Sequence, residues 1–450
     1  MQTNRRHPFG IFSTAVLFIY ALWFPGFSQE SSEKQDFEFG QKLVHEGLFD
    51  LAVIQFARFV KDFPSSPRAG DAQFGVAESQ FAMNRFNDAR LSYITVLLEY
   101  PTHPQLDKAQ FRIAECFEKE GASHQAMESY GRVHQYYPKS VYVNESLYRA
   151  ARLAEGAGLY DNATSILQLL LEMEPTGETR SKALFLLSRI KLVKEEYETA
   201  VALLEPLANR PIRDRDAVNA LIAIGQAYER QGRFEESLSQ YEKAAVSTKA
   251  LDLAAVAQWY RGNLLSLQGS DQEAAVAFAK AEEGLTDSSL KIQCVQASAQ
   301  TAFRLGRYAA AREKWESLGQ TIGFEDRLFK GQNDERLNRL TDAEQAYASL
   351  LADSLCPSDL RKKSMLFLAH LFSRTNRVER AIVFYNRFLK SYPDDPLADV
   401  VLFQKGKIYL DSLDSAADAE AAFQQLCEGY PDSRLLPASR FLLAEKNVEL

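Results

Sequence analysis

Residues 227–244 read AYERQGRFEESLSQYEKA, and this stretch decides the fold class. Apolar and aromatic residues recur at helical spacing on both sides of Gly232. A glycine between two helical patterns permits the left-handed backbone conformation that ends one helix and allows a tight turn. The stretch therefore predicts two helices joined by a tight turn, and it contains no residue set typical of a catalytic site.

The same helical hairpin recurs along the chain. The small residue of each first helix, called here the small position, recurs at 37 residues for seven consecutive steps and then at 32, 38 and 37. The small positions are Gly40, Ala77, Ala114, Ala151, Ser188, Gly225, Gly262, Ala299, Gly331, Ala369 and Gly406. Because chance does not maintain such a register, the sequence predicts eleven structural repeats.

A second series lies in the second helix of each repeat. A small residue, here the alanine position, is followed four residues later by a bulky residue, here the knob. The pairs are Ala52/Phe56, Ala89/Tyr93, Ala126/Tyr130, Ala163/Leu167, Ala200/Leu204, Ser237/Tyr241, Ala274/Phe278, Ala311/Trp315, Ala343/Tyr347, Ala381/Tyr385 and Ala419/Phe423. Four residues make about one helical turn, so each pair shares a face. We expect the small residue to allow close helix approach and the knob to fill the gap toward the next repeat.

Turn and stop residues separate the predicted helices. The turns contain Gly47, Asn84, Gly121, Gly158, Gly232, Gly269, Gly306, Asn338 and Asn376, with Glu195 as the exception. Proline follows an aromatic residue after five second helices, at Pro64, Pro101, Pro138, Pro393 and Pro431. Each repeat is therefore predicted to be helix, tight turn, helix, loop.

This order of residues resembles the tetratricopeptide repeat over residues 33–450, and the sixth repeat matches best through Gly225, Tyr228, Gly232, Phe234 and Tyr241. The usual repeat of that family has about 34 residues, so the extra residues lengthen the loop between repeats. This variety is similar in style to exported bacterial envelope proteins of the BamD and CpoB (YbgF) kind. The resemblance implies an all-α, right-handed superhelical solenoid with a period of about 37 residues, whose first helices line a concave groove.

The two ends of the chain and one step inside it depart from the repeat pattern. Residues 1–28 contain Arg5, Arg6 and an apolar run too short to span a membrane, which predicts a cleavable signal peptide; an uncleaved anchor is the alternative. Residues 29–450 are predicted to form a single solenoid closed by a capping helix at 434–450. The short step between repeats predicts an irregularity or bend at 319–331.

The sequence offers no site for chemistry, so we expect no enzyme activity, no cofactor and no metal. It contains none of the common catalytic or phosphate-binding motifs, and its histidines are scattered over different repeats. Lys and Arg number 52 against 60 Asp and Glu, which disfavours nucleic acid as a partner. The four cysteines predict separate, mostly buried thiols, with a Cys356–Cys427 or Cys294–Cys356 bridge as the open alternative.

Two rows of residues on the first helices are candidates for binding. The ladder position, three residues before the small position, is aromatic in seven of eleven repeats. The charged row, one residue after the small position, places two acids beside two arginines, which suggests a partner of defined polarity. The candidate binding residues are Phe74, Glu78, Phe111, Glu115, Tyr148, Arg152, Phe185, Arg189 and Trp259. The alternative for the ladder is that each ring packs on the next repeat and closes the core.

The sequence therefore predicts a non-enzymatic protein–protein interaction scaffold of the bacterial cell envelope that binds a segment of an envelope protein in its groove. The alternative is a structural subunit of an envelope or outer-membrane complex that uses convex faces and solenoid ends. The predicted location is periplasmic or exported, with membrane association at most peripheral or through partners. Neither the partner nor its pathway is specified by the sequence.

Overall fold

The computed structural model describes residues 25–247 and 249–448 of the chain. Within these residues all regular structure is helical, with 23 α-helices, one short 3-10 turn and no strand. The predicted all-α fold built from helical hairpins is confirmed. Residues 1–24, most of the predicted signal peptide, lie outside the described residues, so the signal peptide stays a prediction.

The chain divides into two compact units, which meet in sequence between Leu207 and Ala208. In the N-terminal unit, odd-numbered helices are first helices and even-numbered helices are second helices. They are α1 Pro25–His45, α2 Phe49–Asp62, α3 Ala69–Ala82, α4 Phe86–Glu99, α5 Leu106–Lys119, α6 Ser123–Tyr136, α7 Val143–Gly156, α8 Tyr160–Glu172, α9 Gly177–Val193 and α10 Tyr197–Ala208. From α1 to α9, each helix packs against the next.

The C-terminal unit continues the alternation, and each of its helices packs against the next. They are α11 Arg215–Arg230, α12 Phe234–Ala245, α13 Leu251–Leu267, α14 Asp271–Gly284, α15 Ser288–Arg304, α16 Tyr308–Leu318, α17 Phe324–Arg336, α18 Leu340–Ala352, α19 Ser358–Arg374, α20 Val378–Ser391, α21 Ala398–Asp411, α22 Ala416–Gly429 and α23 Leu436–Val448. The single solenoid over residues 29–450 and the capping role of residues 434–450 stay predictions.

The predicted register of alanine positions and knobs is confirmed by burial. All eleven residues at the alanine position are at most 1% exposed, and all eleven knobs are at most 5% exposed. The Phe56 ring lies between Gly40 of its own repeat and Gly75 of the next, where an added methyl group would come within 2.5 and 2.7 Å of it. The knob therefore packs first against its own small position and also reaches the next repeat, as expected.

The turns between paired helices adopt the predicted left-handed conformation. All ten predicted turn residues have a positive φ, and the exception, Glu195, has the same conformation at φ 60°. The eleventh turn uses Asp414 at φ 45°, a residue that the sequence pattern did not identify. Residues with a Cβ atom are strained in this backbone conformation. Glu195 therefore costs conformational free energy, which the packing of the rest of its repeat offsets.

Each loop that contains an aromatic–Pro pair is tied to the first helix before it. The residue two positions after the proline bonds a side chain 32–34 residues earlier in the chain. The pairs are Ser66–Glu33, His103–Asp71, Ser140–Asp107, Asp395–Lys362 and Ser433–Asp399. In the fourth pair the acid and its partner have exchanged places, so the contact belongs to the loop geometry rather than to one residue type.

The short step between repeats contains a 3-10 turn, Gly319–Thr321, and a buried polar cluster. Asp326, which is 5% exposed, accepts hydrogen bonds from Trp315 Nε1 at 2.9 Å and Gln300 Nε2 at 3.0 Å. Asp334 is fully buried against Arg312 and Lys330. These bonds satisfy the buried carboxylates where the loop is shortened. The bend at 319–331 itself stays a prediction.

Candidate functional site

The ladder rings of the first three repeats are closed off by neighbouring side chains. Phe74 and Phe111 are 7% and 6% exposed. The Phe111 ring lies 5.6 Å from the Tyr130 knob, stacks at 4.9 Å on Tyr142 of the next loop, and is covered by the Arg149 guanidinium at 5.4 Å. These two ladder residues therefore contribute to the core of the N-terminal unit.

Farther along the chain the ladder rings are more open. Tyr148 and Phe185 are partly exposed on α7 and α9, and Trp259 is partly exposed on α13. Lys182 lies 6.0 Å from the centre of the Tyr148 ring, and Trp259 packs edge-on against Tyr260 at 4.7 Å. Of the predicted ladder candidates, these three are the ones accessible to a partner, and their binding role stays a prediction.

The acidic half of the charged row is neutralised by the next repeat. Glu78 accepts hydrogen bonds from Tyr93 Oη at 2.6 Å and Lys108 Nζ at 3.0 Å, and it pairs with Arg112 at 3.2 Å. Burial alone would raise the pKa of Glu78, but these donors and cations lower it below its ordinary value. Glu115, only 8% exposed, pairs with Arg112 at 2.7 Å and Arg149 at 2.9 Å.

The basic half of the row keeps part of its surface free. Arg152 pairs with Glu118, and Arg189 pairs with Glu155 at 2.6 Å, in each case across one repeat. The two arginine side chains are nevertheless 50% and 60% exposed. Each guanidinium is held at one nitrogen, and among the residues that the structure describes no other hydrogen bond engages it. All four charged residues thus have partners within the chain. Of the four, only Arg152 and Arg189 also expose part of their guanidinium groups to solvent.

A position that the sequence analysis missed joins consecutive repeats. Two residues before the small position, the side chains of Arg149, Tyr260 and Phe367 reach the preceding knob. We call this the joint position, and in the third repeat it holds Arg112. In the fourth repeat it holds Arg149, which bonds the Tyr130 hydroxyl at 3.2 Å and three carboxylates: Glu115, Glu118 and Glu145. Despite its partial burial, these partners raise the pKa of Arg149, so the joint is permanently charged.

In the C-terminal unit the joint position holds an aromatic residue in three of six repeats, at Tyr260, Phe329 and Phe367. Tyr260 stacks on the Tyr241 knob at 5.5 Å with an interplanar angle of 17°. Phe367 stacks on the Tyr347 knob at 5.4 Å and 16°. Offset aromatic pairs of this kind stabilise by roughly 0.5–1.5 kcal/mol beyond the area that they bury.

A recurring acid accepts a hydrogen bond from three of the five tyrosine knobs. Glu118, Glu229 and Glu335 lie four residues after their small positions and accept hydrogen bonds from the tyrosine knobs Tyr130, Tyr241 and Tyr347 at 2.6, 2.8 and 2.7 Å. The signal was present in the sequence, because each glutamate precedes its tyrosine by twelve residues. A search for the partner of each buried tyrosine hydroxyl would have found it.

Among the described residues, no group of three or more His, Cys, Asp or Glu side chains is placed to hold a metal ion. All four cysteines are free, with Cys427 partly exposed and the others buried; burial raises the pKa of Cys116 and Cys294 to about 12. In the described part of the chain, no helix is long and apolar enough to cross a bilayer.

Comparison with family models agrees with this architecture. One tetratricopeptide repeat model matches residues 108–140 and 400–433, and a second matches residues 185–252, 222–289 and 330–396. The chain is a tetratricopeptide repeat protein. Repeats of this family generally mediate protein–protein interaction and are typically non-enzymatic scaffolds.

Several solved structures are similar to this chain at low identity. A tetratricopeptide repeat protein from Parabacteroides merdae has 16% identity and a TM-score of 0.38, over 60% of this chain and 99% of that one. The C-terminal part of a TPR repeat-containing protein from Cytophaga hutchinsonii has 12% identity and a TM-score of 0.46, over 57% and 98%. MamA has 20% identity and a TM-score of 0.32, over 38% and 94%. Among curated proteins, none matches the chain significantly.

Proposed function

We propose that this protein is a non-enzymatic interaction scaffold that binds a segment of a partner protein on the first helices α7 and α9. Four of the candidate residues form the docking surface: Tyr148, Arg152, Phe185 and Arg189. Within each helix the ring and the arginine are four residues apart, so they lie on one face. Successive first helices repeat the same pair.

The observation that carries the proposal is the half-exposed state of Arg152 and Arg189. Each guanidinium is fixed at one edge by a glutamate of the preceding first helix and is free at the other. Arginines held in this way lose little freedom when they bind, which favours affinity. A partner segment with acceptors, such as carboxylates or backbone carbonyls, and with apolar side chains would satisfy both the free nitrogens and the neighbouring rings.

The cellular setting is part of the proposal. Residues 1–28 have the pattern of a cleavable signal peptide, and this pattern supports export to the bacterial cell envelope, where the partner would be an envelope protein. The intact mass of the protein purified from its native cells tests this directly. A chain that begins near Gln29 supports export, whereas a chain that retains Met1 and remains in the cytoplasmic fraction contradicts it.

A second candidate function is a structural subunit that joins a complex through its second helices. It is favoured by apolar side chains that α2 and α4 expose to solvent: Ile54 is 65% exposed, Leu91 53% and Leu98 75%. Exposed aliphatic residues on neighbouring elements are a common feature of interaction surfaces. This candidate places the partner on the second-helix side of the N-terminal unit.

The experiment that separates the two candidates is site-specific photocrosslinking in the native cells. A photoreactive amino acid replaces Phe185 in one variant and Leu91 in the other, because both positions are accessible and lie in the same unit. We expect the Phe185 position to crosslink one partner reproducibly and the Leu91 position to give none.

Two crosslinking results would contradict the proposal. Crosslinks from Leu91 alone would assign the partner to the second helices and overturn the proposed docking surface. Crosslinks from Phe185 that persist unchanged when Arg152 and Arg189 are both replaced by glutamine would show that the partner does not use the arginines.

A further inference from the structure

Four aromatic ladder residues are followed, at the end of their repeat, by a loop that contains an aromatic–Pro pair. They are Phe37, Phe74, Phe111 and Phe403. The first three each have a cation from the following loop or first helix over the ring. The pairs are Arg68 over Phe37 at 5.4 Å, Lys108 over Phe74 at 5.0 Å and Arg149 over Phe111 at 5.4 Å. In three repeats of this chain, the ring environment therefore binds a cationic side chain.

Phe403 on α21 is the exception among these four. Its ring packs on its own knob, Phe423, at 5.8 Å, and among the described residues no cation lies over it. Phe403 is partly exposed, whereas Phe37, Phe74 and Phe111 are 6–8% exposed. A groove of about 460 Å³ remains over the ring, bordered by Val400 and Leu435.

The groove contains acids placed to attract a cation. Asp399 and Asp432 line it together with a single basic residue, Arg434. Asp399 is held by the Ser433 hydroxyl, and the exposed Asp432 has no ion pair within the described part of the chain. Burial and the negative charges of Asp394 and Asp399 raise the pKa of the nearby Tyr430 phenol, which agrees with an acidic environment.

Arg434 does not cover the ring itself. It follows Phe403 by 31 residues, the same separation as between Phe37 and Arg68, yet its guanidinium is not among the cation–ring contacts of the described residues. A cation supplied from outside would find an open aromatic face, aliphatic walls for its methylene stem, and the Asp432 carboxylate for its head group.

We propose that the groove over Phe403 binds an arginine side chain of a partner protein. The guanidinium stacks on the Phe403 ring and pairs with Asp432, while Val400 and Leu435 contact the arginine stem. This site lies in the C-terminal unit, and it does not depend on the docking surface proposed on α7 and α9. The partner segment is therefore basic where it meets α21.

Fluorine NMR of the full chain tests the proposal, with 4-fluorophenylalanine replacing Phe403. The probe is the peptide Gly-Leu-Arg-Leu-Gly with blocked ends, and its matched control carries citrulline, which has the shape of arginine without the charge. We expect a saturable shift of the fluorine resonance with the arginine peptide, and roughly tenfold weaker binding of the citrulline peptide. The same label replacing Phe111, a covered ring, should not respond.

Two variants test the roles of the charged residues Asp432 and Arg434 in the groove. Asp432→Asn should weaken the arginine peptide about fivefold without moving the thermal melting curve, because Asp432 is exposed and unpaired. Arg434→Ala should leave binding intact or strengthen it, because it removes the one cation that repels the ligand. The proposal is overturned if both peptides shift the fluorine equally or not at all. It is also overturned if Arg434→Ala, without peptide, shifts the fluorine resonance by a similar amount in the opposite direction, since Arg434 would then already occupy the groove.

Discussion

The joint between the third and fourth repeats and the joint between the sixth and seventh use the same position for different chemistry. In the N-terminal unit, Arg149 reaches the Tyr130 knob with its guanidinium and pairs with several carboxylates. In the C-terminal unit, Tyr260 reaches the Tyr241 knob by ring stacking. The repeat geometry therefore fixes which residue meets the preceding knob, but it leaves the interaction type open.

This difference has a consequence for binding. An ionic joint engages the charges of neighbouring first helices within the chain, which is why Glu78 and Glu115 are paired and largely covered. What remains for a partner in the N-terminal unit is the outer edge of Arg152 and Arg189. In the C-terminal unit, where the joint position holds no charged residue, the charged row is mostly amide and carries little charge of its own.

The largest expected effect comes from breaking the ionic joint. Arg149→Met removes the guanidinium from Glu115 and Glu118, whose side chains are 10% and 16% exposed. We expect the local free energy of opening of α7 to fall by about 3 kcal/mol, because carboxylates are left in a poorly solvated site. Hydrogen–deuterium exchange of α7 measures this. Arg180→Met, at an exposed arginine, is the matched control, and an equal effect there would contradict the ionic joint.

The aromatic joint should respond less. Tyr260→Ala removes a half-buried ring from the Tyr241 knob, and we expect a loss of about 2 kcal/mol in the opening free energy of α13, since full burial of such a ring is worth more. Exchange in α13 should rise while exchange in α3 is unchanged. Tyr136→Ala, at a ring that is 61% exposed, should change little. A loss spread evenly over both units would show that the joints are not local.

Acid should distinguish an ionic joint from the aromatic joint. Glu78 pairs with Arg112, which occupies the joint position of the third repeat. The pKa of Glu78 is below its ordinary value of 4.5 in the folded chain, so its contribution is fully present above pH 4.5 and is lost as the pH falls through the lowered value. The melting-temperature difference between the wild type and Glu78→Gln should therefore shrink between pH 6 and pH 3. The difference between the wild type and Tyr260→Ala should stay constant, because the pKa of Tyr260 is raised above 10. A constant difference for Glu78→Gln would contradict the lowered pKa.

The smallest expected effect concerns the turn at Glu195 in the N-terminal unit. Glu195→Gly relieves a side chain held at positive φ, and we expect a gain of about 0.5–1 kcal/mol after the added flexibility of the unfolded chain is counted. Chemical denaturation followed by circular dichroism measures it. The converse change in the C-terminal unit, Gly232→Glu at φ 74°, should destabilise by a similar amount. A loss on Glu195→Gly would mean that the Glu195 side chain makes a stabilising contact.

Much of the fold was readable from the sequence because steric requirements recur with the period. A small residue must face each knob, and the turn must accept a positive φ, so the turn at Glu195 was predicted correctly even without a glycine or asparagine. The burial of the ladder was not predictable in the same way. Whether Phe111 is closed depends on Tyr142 and Arg149, which lie 31 and 38 residues later in the chain.

The charged row shows the same limit. The row itself contains two acids followed by two arginines, but it does not contain the arginines at the joint position that neutralise the acids across one repeat. Glu78 and Arg112 lie 34 residues apart, and their contact follows from the stacking of α3 and α5 rather than from any local spacing. A comparison of each acid with the residue 34 positions later reveals the pairs Glu78–Arg112 and Glu115–Arg149. The charged row alone does not contain these arginines.

A partner that docks on the outer edges of Arg152 and Arg189 should depend on both guanidinium groups. The most direct test is the affinity of the partner captured at Phe185 for the variant that carries both Arg152→Gln and Arg189→Gln. Arg180→Gln serves as the control for a loss of positive charge on α9. We expect binding at least about tenfold weaker for the double variant, with faster dissociation, and unchanged binding for the control. Equal affinity of the double variant and the wild type would contradict the proposed docking surface.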